Sequence, residues 1–156
     1  MAVSHLILVG LLGACSGAID GDPGSATTNG GGDTMDQPVD IVGPDVLPHV
    51  QAFANAACGT LDACHPSTYV GHSPSAERAL DILVSDAYGS VPSDDNALGD
   101  ALAEFALANQ SKFAITYVIW RRRINSGTGW REMEDRGSIT QNHFDHVHTS
   151  YEEMAP

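Results

Sequence analysis

Between Ser16 and Asp45 the chain carries Gly, Ser, Thr, Pro and six Asp, with no Lys or Arg and no period among its few apolar residues. Such a stretch cannot bury enough apolar surface to offset the entropy of ordering it. It reads as a disordered acidic tether, kept extended by its own like charges. Whatever core the chain builds must come from residues 46–156. That length suits one domain.

Ahead of the tether, Leu6 to Leu12 form a short apolar run, too short to remain as a membrane span. It ends in Leu12-Gly13-Ala14-Cys15, which resembles a bacterial lipobox and would make Cys15 a lipidated mature N-terminus. Residues 1–15 are therefore read as a lipoprotein-type signal, with a plain secretory signal as the alternative, since Met1–His5 contains no Lys or Arg. Either way export is expected, with a lipid anchor at the bacterial envelope on the first reading.

Charge narrows the partners. The chain has 7 basic and 20 acidic residues, a formal −13, and no Lys or Arg precedes Arg78. Phosphate contacts need a basic surface, so nucleic-acid binding is excluded, as is a polybasic membrane patch. From Val46 onward the count is 7 against 14, so the domain itself is less acidic than the whole. A monomer is expected.

Within the domain, Pro48 can open a helix with Val50, Phe53, Ala54 and Ala57 on one face and Gly59 at its end. Tyr69-Val70 and Ala79–Val84 read as strands. A second helix, capped by Asp94 or Asp95, carries Leu98, Leu102, Phe105, Ala106 and Asn109 on its stripe and ends near Ser111. Phe113 to Ile124 is a β-rich run, and Arg121–Arg123 reads as a solvated strand face. Trp120 and Trp130 are expected to pack in the core or a cleft wall. His146–Tyr151 is a terminal strand. Together these predict an α+β domain with a small, mostly antiparallel sheet and flanking helices.

If Cys15 is lipidated, Cys58 and Cys64 remain as an even pair. A disulfide is preferred in an oxidising compartment; the alternative is a Cys/His metal site including His65.

The densest chemistry lies in Asn142-His143-Phe144-Asp145-His146-Val147-His148. Strand alternation puts His146, His148 and Ser150 on one face, and Val147, Thr149 and Tyr151 on the other, toward a core. Two imidazoles two residues apart on one face suit a metal, which then needs a further ligand from elsewhere. The best source is the segment from Gly71 to Asp81. Asp81 stands in an otherwise apolar strand, with Leu80, Ile82 and Val84 facing the other way. A carboxylate buried there costs several kcal/mol unless a metal, an Arg or hydrogen bonds compensate. Arg78 could supply that compensation. His143 reads either as support behind the ligands or as catalytic.

Arg78-Ala79-Leu80-Asp81, Tyr117-Val118-Ile119-Trp120-Arg121, Trp130-Arg131, Asp135-Arg136-Gly137-Ser138 and His143–His148 together resemble a bacterial extracellular domain of the hedgehog/D,D-peptidase zinc-binding superfamily. The resemblance covers roughly Tyr69 to Tyr151. It implies an exported zinc metallopeptidase acting on peptidoglycan peptides, of D,D-carboxypeptidase or endopeptidase type. It implies zinc ligands His72, Asp81 and His148 and a general base at Asp145. His146 would hydrogen-bond the oxyanion, and Arg78 would pair with a substrate carboxylate. The family's first His usually stands seven residues before the Asp, where this chain has Pro74. His72 lies nine before, so a turn at Ser73-Pro74 must deliver it. A non-catalytic wall-binding relative is the alternative.

Overall fold

The computed structural model describes residues 38–153, so the signal segment and residues 16–37 of the tether lie outside the described residues. Helix α1 (Pro48–Leu61) starts on proline, whose missing N–H costs nothing at a first helical position. Val50, Phe53, Ala54 and Ala57 are all buried, the stripe that the 3.6-residue spacing predicts. The helix runs past Gly59. Its stop is Asp62, in the left-handed region at φ 59, whose N–H donates to the Cys58 carbonyl. Cys58 and Cys64 form a disulfide, which joins the last turn of α1 to the segment leading into the sheet.

Helix α2 (Ala97–Ala108) is held at its start by Asp94, whose carboxylate accepts the Leu98 N–H at 3.0 Å. It buries Gly99, Leu102, Ala103 and Ala106, while Leu98 and Phe105 are partly buried against the same core. A short helix α3 (Gln110–Phe113) follows, so Phe113 belongs to a helix and not to the β-rich run.

Six strands form one antiparallel sheet: β1 (Pro66–Ser67), β2 (Ala79–Leu83), β3 (Ile115–Trp120), β4 (Arg123–Asn125), β5 (Trp130–Glu132) and β6 (His146–Tyr151). Their order is β1-β2-β6-β3-β4-β5, which makes the terminal strand central. The α+β class expected from the sequence is the one observed.

Strand alternation sorts the two faces. Leu80, Ile82, Val147 and Tyr151 join the helices in one hydrophobic cluster. Phe53 packs edge-on against Phe113 at 5.5 Å and Tyr151 at 6.0 Å between centroids. Burying one such side chain contributes about 1.5–3 kcal/mol. Gly99 lets α2 sit directly on the Trp120 ring, since a Cβ there would overlap the indole. Trp120 is core, and its Nε1–H donates to Asp100 at 2.7 Å; Trp130 is partly buried. Asp81, His146, His148 and Ser150 lie on the other face, yet all are buried, because loops cover them.

Three further local expectations differ from the structure. Tyr69-Val70 is not a strand. The His72 N–H turns back to the Tyr69 carbonyl at 3.0 Å with Gly71 at φ 89, the conformation glycine supplies in such turns, and Tyr69 and Val70 are exposed. Arg121 and Arg122 are turn residues at φ 50 and 56, so only Arg123 of that run is in a strand. Lastly, residues 38–45 of the expected tether pack on the domain. The Val42 N–H donates to Pro66 O and its carbonyl accepts from Thr68, while Val39 and Ile41 lie against the core. Gly43 is required there because a Cβ would collide with the Thr68 carbonyl.

Candidate metal centre

The register of β2 against β6 places Asp81 directly across from His148. Asp81 Oδ1 lies 2.8 Å from His148 Nδ1. His72 comes from outside the sheet, delivered by the Tyr69–His72 turn. Its Nε2 lies 3.2 Å from Asp81 Oδ1 and 3.0 Å from His148 Nδ1. The three ligand atoms are buried and mutually close, so His72, Asp81 and His148 can hold a metal ion. The nine-residue spacing to Asp81 does not prevent this.

The outer ring nitrogens show which inner atoms carry protons. The Thr68 hydroxyl donates to the Ala76 carbonyl at 2.8 Å, so at His72 Nδ1, 3.1 Å away, it accepts. The proton of His72 is thus on Nδ1, and its Nε2 presents a lone pair. Ser150 plays the same part for His148: its hydroxyl donates onward to the Ser73 carbonyl at 3.5 Å and accepts from Nε2 at 2.9 Å. Burial pushes the His148 imidazole below its usual range, which keeps it neutral. The outer nitrogens of both rings are thus engaged, and the inner ones converge with a carboxylate oxygen of Asp81. A cation bonded to each at about 2 Å fits that triangle.

His146 flanks this group. Its Nε2 is 3.5 Å from Asp81 Oδ1, and its Nδ1 donates to Asp145 Oδ1 at 2.6 Å. Asp145, the general base that the resemblance implies, lies behind His146. It is fully buried, does not line the cleft, and its second oxygen accepts from the Gly89 N–H at 2.6 Å and the Thr140 hydroxyl at 2.5 Å. Burial raises its carboxyl, yet the hydrogen bonds from His146, Thr140 and Gly89 more than offset this and hold it below the ordinary range. Both Asp145 oxygens are thus engaged, one of them by His146.

The triad opens on a cleft of about 610 Å³ walled by Tyr69, Tyr88, Tyr117 and His143 among others. Tyr69 stacks on His72 at 4.3 Å, and Tyr117 on His148 at 5.8 Å. Arg78 does not line this cleft. It sits in a 3-10 turn (Ala76–Arg78) and makes no ion pair with Asp81 among the described residues. The guanidinium at the cleft is Arg136. Thr68 and Arg136 escaped the sequence reading. Thr68 follows a two-residue strand too short to show alternation, and Arg136 is placed by contacts distant in sequence.

A family model for the VldE C-terminal domain matches residues 44–144. The chain belongs to the VldE C-terminal domain family. The matched span of this VldE-type domain includes His72, Asp81, Arg136 and His143 and stops short of His146 and His148. An uncharacterized secreted protein of Arthroderma benhamiae is 42% identical over 59 residues, a match covering 33% of this chain and 24% of that protein. The aligned region is thus about a quarter of that relative's length. No solved structure matches the chain.

Proposed function

We propose that this chain is an exported zinc-dependent peptidase acting on peptidoglycan peptides, as its resemblance to the hedgehog/D,D-peptidase superfamily implies. The observation that carries a metal-dependent reading is the convergence of His72 Nε2, His148 Nδ1 and Asp81 Oδ1 within 3.2 Å of one another. Two neutral imidazoles and one carboxylate are a zinc donor set, and three protein ligands leave a position open for chemistry. When bound there, zinc supplies an acidified water and a charge that polarises the scissile carbonyl.

The protein's own part is proton transfer and orientation. His146 is placed to accept a proton from a water in the cleft and return it to the leaving amine. Asp145 fixes the His146 tautomer by holding Nδ1–H, so that Nε2 faces the cleft. Thr68 and Ser150 do the equivalent for the two ligand imidazoles.

Export is supported by the apolar segment ending at Cys15, by the Cys58–Cys64 disulfide, and by the secreted relative. A lipid anchor at Cys15 completes this reading: a tethered domain working at the envelope. Muropeptide hydrolysis by the zinc-loaded domain is the test. Turnover that disappears with chelator and returns with zinc supports the proposal; zinc uptake without any turnover favours the wall-binding alternative.

A further inference from the structure

Besides the triad, the cleft is lined by Arg136, Gln141 and His143, from the loop that leads into β6. This loop is fixed from two sides. Buried Asn142 accepts the Arg136 N–H at 2.9 Å and donates to Asp135 Oδ1 at 2.8 Å. The left-handed turn residues Arg121 and Arg122 aim their N–H groups at the carbonyls of His143 and Asn142, at 2.8 and 2.7 Å. Yet the side chains so carefully held have few partners. The Arg136 guanidinium makes no ion pair among the described residues.

His143 is only 8% exposed, its Nδ1 is buried without a partner, and its backbone stands at φ 55. A buried orphan lone pair is tolerated better than a buried orphan N–H, so the neutral ring keeps its proton on Nε2. That is the nitrogen not sealed away from solvent, and the ring lines the cleft. Left-handed backbone at a non-glycine residue is a cost that folds retain at functional sites.

We propose that Arg136 and His143 form an anion subsite that receives the terminal carboxylate of the substrate beside the bond to be cut. The planar guanidinium fork matches a carboxylate bidentately, and His143 Nε2–H adds a second donor. This rests on the metal-hydrolase reading and makes it an exopeptidase reading: the chain selects peptides whose free C-terminus lies within reach of the triad.

The test uses the zinc-loaded protein and two probes, a dialanine phosphinate with a free terminal carboxylate and its terminal carboxamide. The carboxylate probe is expected to bind about tenfold or more tightly than the carboxamide. Arg136→Ala brings that ratio to about one, and His143→Asn, which keeps the left-handed backbone accessible, lowers it. Arg131→Ala, an exposed control on β5, keeps it. Equal binding of the two probes, or an unchanged ratio in Arg136→Ala, overturns the subsite while leaving the metal reading intact. Failure of zinc-loaded protein to bind either probe overturns the subsite and the peptidase reading together.

Discussion

His72 Nε2 lies 3.0 Å from His148 Nδ1 although 76 residues separate them in the chain. Thr68 and Ser150 take up the protons on the far sides of the two rings. The contact has a physical rationale once a cation joins the two nitrogens to Asp81.

Thr68 therefore matters to a ligand it does not replace. Thr68→Val removes the acceptor at His72 Nδ1 and should weaken zinc affinity by about 10- to 100-fold, whereas Thr68→Ser should retain it. Competition against a chelating indicator measures both.

His146 and the metal ligands should separate by readout. His146→Gln should lower kcat by about 10²-fold or more while zinc stoichiometry stays at that of the wild type. Asp145→Asn, which disturbs the same tautomer, should lower kcat without changing stoichiometry. Loss of zinc in His146→Gln would instead make His146 a ligand.

Much of this arrangement is legible in the sequence because it follows periodicity. The Val50, Phe53, Ala54, Ala57 stripe, the alternation of His146 to Tyr151 and the misplaced polarity of Asp81 are local patterns, and each appears in the fold. Less is legible where a distant contact decides. Asp145 reads as a free base until Gly89, 56 residues away, and Thr140 occupy its second oxygen. Tyr69-Val70 has strand composition, but the turn at Gly71 that carries His72 into the site overrides it. The resemblance implies Arg78 as the cation for a substrate carboxylate, but the guanidinium lining the cleft belongs to Arg136. Arg136 takes that place only through the loop pinned by Asn142.

The close seating of α2 on β3 predicts a cost for a conservative change. Gly99→Ala improves helix propensity but drives a methyl into the Trp120 ring, so the fold should lose about 1–3 kcal/mol. A thermal melt should show the variant several degrees less stable. An unchanged or higher midpoint would contradict the packing described.

Asp145 also sets an acid limit. Its folded-state pKa is depressed below the unfolded value of about 3.9, so its contribution is fully present above that pH. It is lost as pH falls through the lower folded-state value, where the hydrogen-bonded carboxylate must take a proton. Stability against denaturant should decline over that window in the wild type and decline less in Asp145→Asn.

Zinc titration of the purified protein, followed by calorimetry with chelator competition, tests the central claim most directly. One zinc per chain is expected, with binding lost in Asp81→Asn and in His148→Ala while circular dichroism shows both variants folded. Wild-type protein that is folded and takes up no zinc, or variants that bind it as tightly as the wild type, would contradict the account.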